Sequence, residues 1–236
     1  MKNIKEQTLF HASNFEIILA ILADKGFKVS YCSEEIRHGF NREFKGCICY
    51  QYYIPMISFT DMSLSSILKG ESTYGDCAIG MNIDWAKNNG LNPVLYIEKD
   101  SRISRSIWKL IDSIKRDGKS NKQDLAATLL LQSIKNYEGQ YKNRSKIYYD
   151  EREWRYIPEL DGSAFPPYID IDNCDQLVSF GKKPHIIDNA YLLSFTEKDI
   201  DYIIVDNRNQ KNELCERFGQ NIEITKRIKV RKSCMF

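Results

Sequence analysis

The residues whose types and spacing could do chemistry gather in one stretch, Tyr148-Tyr149-Asp150-Glu151-Arg152-Glu153-Trp154-Arg155-Tyr156. It begins like a strand, with Ile147, Tyr148 and Tyr149, and ends like one, with Trp154, Tyr156 and Ile157. Alternation along a strand sets Glu151, Glu153 and Arg155 on one face and Arg152, Trp154 and Tyr156 on the other. Two carboxylates and a guanidinium on a face built for burial are unfavourable unless they pair or act on something. Two readings stand side by side. In one, the charges are the outer face of an edge strand, or an Arg-Glu pair that holds neighbouring strands. In the other, the carboxylates stabilise developing positive charge or move a proton. The second candidate is His11, where a predicted strand over 9–11 hands over to a helix. A histidine there points into a cleft, or it caps and packs.

The elements that must position these groups follow from periodicity. Phe15, Ile18, Leu19 and Leu22 form the stripe of a core-facing helix, with Ser13 and Glu16 at capping-box spacing and Gly26 placed to end it. Residues 27–32 read as a strand and 33–45 as a polar loop. Cys47, Cys49 and Gln51 alternate against Ile48, Tyr50 and Tyr52, a strand over 46–53. A second strand over 54–61 starts at Pro55. Its polar end, Ser58, Thr60 and Asp61, lines a pocket or caps a short helix over 63–69, with Asp61 as the cap. A compact strand over 74–81, a helix over 84–89 stopped by Gly90, and a strand over 92–97 come next. Helices over 103–117 and 125–137 read as an insertion at about 100–140. Residues 159–184 read as a long loop with a strand near 176–180. A strand over 200–205, a helix over 210–218 and a strand over 222–230 close the chain. Strand clusters dominate over strict strand-helix alternation. The expected class is α+β, a mixed, mainly antiparallel sheet with flanking helices, and one domain over 1–236.

Composition removes several classes of function. The chain has 236 residues, 42% of them hydrophobic, and a net charge of +2, so nothing in the balance demands nucleic acid or an anionic membrane. The basic run Lys226-Arg227-Ile228-Lys229-Val230-Arg231-Lys232 interleaves charge with Ile and Val, which suits a solvated strand face. A nucleic-acid binder built on that run with Tyr52, Tyr53 and Tyr148 ranks behind the other readings. Seven cysteines at scattered spacings argue against a disulfide framework and for a reducing compartment. With three histidines and no matched ligand pairs, no metal site is expected. There is no P-loop, dinucleotide fingerprint or nucleophile elbow. No apolar run is long enough to cross a bilayer, and the N-terminus lacks a signal-peptide core, so the expected location is cytoplasmic.

Several pieces, taken in order, resemble the AbiGi family of bacterial abortive-infection proteins. They are Phe10-His11-Ala12-Ser13 before an apolar helix, Pro55-Met56-Ile57-Ser58-Phe59-Thr60-Asp61, Tyr74-Gly75 with Ala78-Ile79-Gly80, Asn92-Pro93-Val94-Leu95-Tyr96, and Tyr149-Asp150-Glu151-Arg152-Glu153-Trp154-Arg155-Tyr156. The resemblance implies phage defence beside a toxin partner, since the family is labelled an antitoxin. More distantly, a histidine on the first strand, a tyrosine on a middle strand and a late glutamate resemble the His-Tyr-Glu layout of ADP-ribosyltransferases. Glu151-Arg152-Glu153 is similar to the Glu-x-Glu of arginine-modifying members.

That second resemblance implies an ADP-ribosyltransferase-like fold and an NAD-using effector, with NAD as substrate and no metal. Glu153 would be the catalytic carboxylate beside the ribose, where an oxocarbenium-like centre develops, as in glycoside hydrolysis. Glu151 would assist with the acceptor, whether protein, nucleic acid, small molecule or water. His11, with Ser13, would hold the adenosine-side ribose or the carboxamide. Tyr74 or Tyr50 would stack on nicotinamide, and Arg155 would anchor a phosphate or neutralise the glutamates. The alternative is a non-catalytic antitoxin or regulatory partner of a toxin. The enzyme needs His11, a tyrosine and Glu153 on one cleft; the antitoxin needs an exposed apolar patch for its partner.

Overall fold

The structure, a computed structural model, describes residues 7–41, 46–72, 74–107, 109, 122–141, 144–160, 165–170, 187 and 189–231. Of residues 35–41, 46–51, 122–125, 140–141 and 170 it describes the backbone only. In chain order the first strands are β1 (Thr8–Ser13), β2 (Gly26–Phe27), β3 (Ser30–Asn41), β4 (Gly46–Thr60), β5 (Cys77–Asn82), β6 (Asn92–Pro93) and β7 (Leu95–Ile97). They are followed by β8 (Ile134–Asn136), β9 (Glu138–Tyr141), β10 (Arg144–Ile147), β11 (Glu153–Tyr156), β12 (Ile169–Asp170), β13 (Leu193–Ser194), β14 (Ile200–Val205) and β15 (Ile228–Val230). Among the described residues the helices are α1 (Phe15–Asp24), α2 (Leu64–Leu68), α3 (Ile83–Asn88), α4 (Lys122–Gln132), α5 (Arg208–Phe218) and α6 (Ile222–Thr225), and residues 102–107 are helical too. Among the pairs whose register is described, pairing is antiparallel except for β14 with β15 and β7 with β8. The class is α+β with a mixed, mostly antiparallel sheet, as the strand clusters imply.

Contacts gather the chain into two compact units. The first takes residues 1–28, 58–91 and 189–236. Its centre is β5, paired on one side with β1, from Thr8 opposite Asn82 to Ser13 opposite Cys77, and on the other with β14, where Ile203 faces Ile79. Both faces of β5 are buried, so it reads as Cys-Ala-Ile-Gly-Met without alternation. Helix α1 packs Phe15, Ile18, Leu19, Ile21 and Leu22 inward. Asn14, not Ser13, caps it, accepting from the Ile17 N–H at 2.9 Å, because Ser13 is still held in β1. Lys25, not Gly26, turns the chain out of the helix in the left-handed region at φ 49°. Gly26 instead sits in β2, where a Cβ would strike the Leu192 side chain. Ser63 caps α2. Asp61, expected in that role, has one carboxylate oxygen buried with no hydrogen-bond partner among the described residues.

The second unit takes residues 29–57 and 92–188. The polar loop expected over 33–45 is strand for most of its length: β3 pairs with β4 from Ser30 opposite Met56 onward. Pairing with a long neighbour overrides the polar composition. Tyr52, Ile54 and Met56 of β4 build a core with Ile107, Leu131 and Ile134. The helix expected over 125–137 ends at Gln132, and residues 134–136 form β8 beside β7. In the first unit, the final strand is likewise shortened to β15, because Asn221 caps a helical turn over Ile222–Thr225. The strand expected near 176–180 lies outside the described residues.

Candidate functional site

The acidic stretch is not one strand. Tyr148–Glu151 forms a 3-10 turn, Arg152 follows in the left-handed region at φ 46°, and β11 begins at Glu153. The side chains still sort as the alternation predicts. Glu151, Glu153 and Arg155 are buried, while Arg152 is exposed and Trp154 and Tyr156 are part-exposed. The left-handed residue swings the turn so that Glu151 re-enters the same interior as Glu153.

That interior is an ion network. Arg155, 2% exposed, donates from Nε to Glu153 Oε1 at 2.6 Å and from Nη2 to Glu34 Oε1 of β3 at 2.7 Å. Its Nη1 donates to the Gln132 carbonyl at 2.8 Å and the Ile134 carbonyl at 3.3 Å. Lys135 Nζ lies 2.5 Å from Glu153 Oε2 and 3.0 Å from Glu151 Oε2. Lys146 Nζ lies 2.5 Å from Glu151 Oε1. Among the described residues, three carboxyls (Glu34, Glu151, Glu153) thus meet three cations (Lys135, Lys146, Arg155). The Tyr148 ring lies under both lysines, 5.2 Å from Lys135 Nζ and 6.0 Å from Lys146 Nζ. The Tyr96 hydroxyl accepts from the Glu153 N–H at 2.8 Å.

Electrostatics follow from this geometry. Burial pushes the Glu153 carboxyl up, but Arg155 and Lys135 outweigh it and hold it at about 2. Burial dominates at Glu34 and raises it despite Arg155 and Lys135. Burial disfavours charge on Arg155 too, yet Glu34 and Glu153 more than restore it, so its guanidinium stays charged. Tyr96, half-buried, is pushed up to about 12 and stays protonated.

His11, Ser13 and Tyr74 belong to the first unit. His11 Nδ1 donates to the Ser58 carbonyl at 2.9 Å, and its ring packs against Phe27 and Phe59 at centroid distances of 5.3 and 5.6 Å. Burial lowers its pKa against the weaker effect of the Ser58 bond, so the imidazole is neutral at pH 7. Ser13 pairs with Cys77, and its backbone is met closely by Gly75. Tyr74, beside that glycine, is exposed. The structure therefore brings Glu151, Glu153 and Arg155 together, and Ser13 together with the Tyr74-Gly75 segment. Tyr50 lies on β4 in the second unit, and its side chain is outside those described.

Sequence reasoning missed Glu34, Lys135 and Lys146. Glu34 fell in the supposed loop and Lys135 in the supposed helix. Buried Ile134 and Asn136 flanking Lys135 are the only local sign of a strand there. Among the described residues no group of three or more His, Cys, Asp or Glu could hold a metal, and no helix is long and apolar enough to cross a membrane.

Comparisons with known proteins place the chain among phage-resistance proteins. A family model described as "Putative abortive phage resistance protein AbiGi, antitoxin" matches residues 25–206. The matched span holds every member of the ion network and leaves out His11 and Ser13. The abortive phage resistance protein AbiGi of Lactococcus lactis subsp. cremoris is 26% identical over 213 residues, covering 75% of this chain and 86% of that protein. The chain belongs to the AbiGi family. No solved structure matches it.

Proposed function

We propose that this chain is a non-catalytic antitoxin, the member of a phage-defence pair that binds and restrains a toxin. The description of the family supports a toxin partner. The observation that carries the non-catalytic part is the state of the two glutamates. All four carboxylate oxygens of Glu151 and Glu153 face cations of the chain itself, and Glu153 is 4% exposed. A carboxylate that steadies an oxocarbenium centre must present an oxygen to the sugar. Here the charge is already spent on Arg155, Lys135 and Lys146, and the network ties β3, β8, β10 and the 3-10 turn to β11.

A second reading, NAD cleavage, draws on one observation: Glu151 and Glu153 converge, bridged by Lys135. One experiment separates the two. Purified chain and its Glu153→Gln variant are given NAD, with and without the product of the neighbouring gene, and nicotinamide release is measured. The antitoxin reading expects no release, and expects co-expression of the chain to restore growth to cells arrested by the neighbouring product. Release that disappears in a folded Glu153→Gln variant overturns it in favour of NAD chemistry.

A further inference from the structure

Among the described residues two non-glycine positions sit in the left-handed region, Lys25 and Arg152. Such a residue costs about 1 kcal/mol that glycine would not. Lys25 has a visible use for its side chain, an ion pair with Glu197 at 2.8 Å. Arg152 has none: its guanidinium is exposed and makes no ion pair or hydrogen bond among the described residues. Strain kept at an exposed position points outward, to something the side chain meets.

What surrounds Arg152 says what that is. Its backbone N–H closes the 3-10 turn on the Tyr149 carbonyl at 3.1 Å. Tyr149 is 52% exposed and Tyr137 38%, their rings stacked at 5.7 Å, with Tyr96 edge-on to Tyr149 at 5.2 Å. Ile147, also exposed, leads into the same turn, and the Tyr137 carbonyl accepts from the Tyr148 and Tyr149 N–H groups. Exposed aromatics and, on the same turn, an arginine with no ion pair among the described residues have the composition of an interface hot spot. The turn is also held rigid from beneath, because Glu151 is clamped by Lys135 and Lys146. A platform ordered before binding loses little entropy when a partner arrives. Exposed Asp150, next to Tyr149, disfavours a phosphate backbone, and the two rings already stack on each other rather than standing open to bases.

We infer that Tyr137, Tyr149 and Arg152 form the docking surface for a protein partner that presents an apolar slot for Tyr149 beside a carboxylate for Arg152. This rests on the antitoxin reading, which makes that partner the toxin. The ion network is then the foundation of the interface.

The test uses the full chain and the purified product of the neighbouring gene, with affinity read by calorimetry. Arg152→Gly removes the side chain and relieves the strain, so it separates recognition from folding. It is expected to keep or raise the melting temperature while weakening binding at least tenfold. Tyr149→Ala and Arg152→Glu should weaken binding at least as much with unchanged circular dichroism. Ile17→Asp, exposed on α1, should bind as the parent does. If the parent binds and the three surface variants bind equally well, the surface is wrong and the antitoxin reading survives. If the parent does not bind the product, the reading falls and the surface with it. Binding of a labelled oligonucleotide that is lost in Tyr149→Ala would overturn the protein partner in favour of nucleic acid.

Discussion

Arg155 and Glu34 stand 121 positions apart in the chain and 2.7 Å apart in the fold. Glu153, two residues before Arg155 on the same strand face, takes the other side of the guanidinium at 2.6 Å. One buried cation therefore holds two carboxyls from different strands, Glu153 buried and Glu34 half-buried.

Arg155→Met should cost about 3–5 kcal/mol of stability, because it leaves Glu34 without its guanidinium partner and Glu153 with Lys135 alone. Pairing Arg155→Met with Glu153→Gln should cost less than the sum of the two single changes, since both remove the same direct contact. Urea unfolding of the three variants measures both. A loss for Arg155→Met of the size of a surface substitution would mean that the network is not structural.

Stability should fall as the pH drops from about 4.5 to about 2. Glu153 has its folded pKa lowered to about 2 from an unfolded value near 4.5, so its contribution is fully present above 4.5 and lost as the folded carboxyl protonates. At roughly 1.4 kcal/mol per unit this amounts to about 3 kcal/mol. Glu34, raised by burial, acts with the opposite sign and gains stability on protonation. Melting temperature against pH should show the acid limb flatten in Glu153→Gln.

Gly75→Ala should destabilise the first unit by about 1–3 kcal/mol. A Cβ at Gly75 would stand 2.3 Å from the Ser13 carbonyl carbon and oxygen, and backbone, unlike a side-chain tip, cannot rotate away. Gly139→Ala meets the Tyr148 ring instead, which can shift, and should be milder. Thermal melts of the two variants give the ranking.

Asn14→Ala should cost about 1 kcal/mol by removing the α1 cap, and Ser13→Ala should cost less. The same melts applied to these variants distinguish the residue that caps from the one whose spacing merely suggested it.

Local pattern made much of this protein legible. The stripe Phe15, Ile18, Leu19 and Leu22 foretold α1, and the apolar runs foretold β1, β5 and β14. Glu151, Glu153 and Arg155 were separable from Arg152, Trp154 and Tyr156 before any coordinates, because a period of two survives when a single left-handed residue replaces one step of strand. The choice between an Arg-Glu pair and an active carboxylate was not legible, since both demand the same residues at the same spacing. Glu34 and Lys135 are the tertiary neighbours that bear on it. Neither carries a local mark, because polar segments are ordered here by the strands beside them.

The sequence by itself determined which residues had to leave water together and which elements carry them, since burial and backbone propensity act over a few neighbouring positions. The tertiary structure alone decided how those buried charges are neutralised. A carboxylate's chemistry depends on the cations within a few ångströms, and here they arrive from β8, β10 and β11 to meet glutamates of β3, the 3-10 turn and β11.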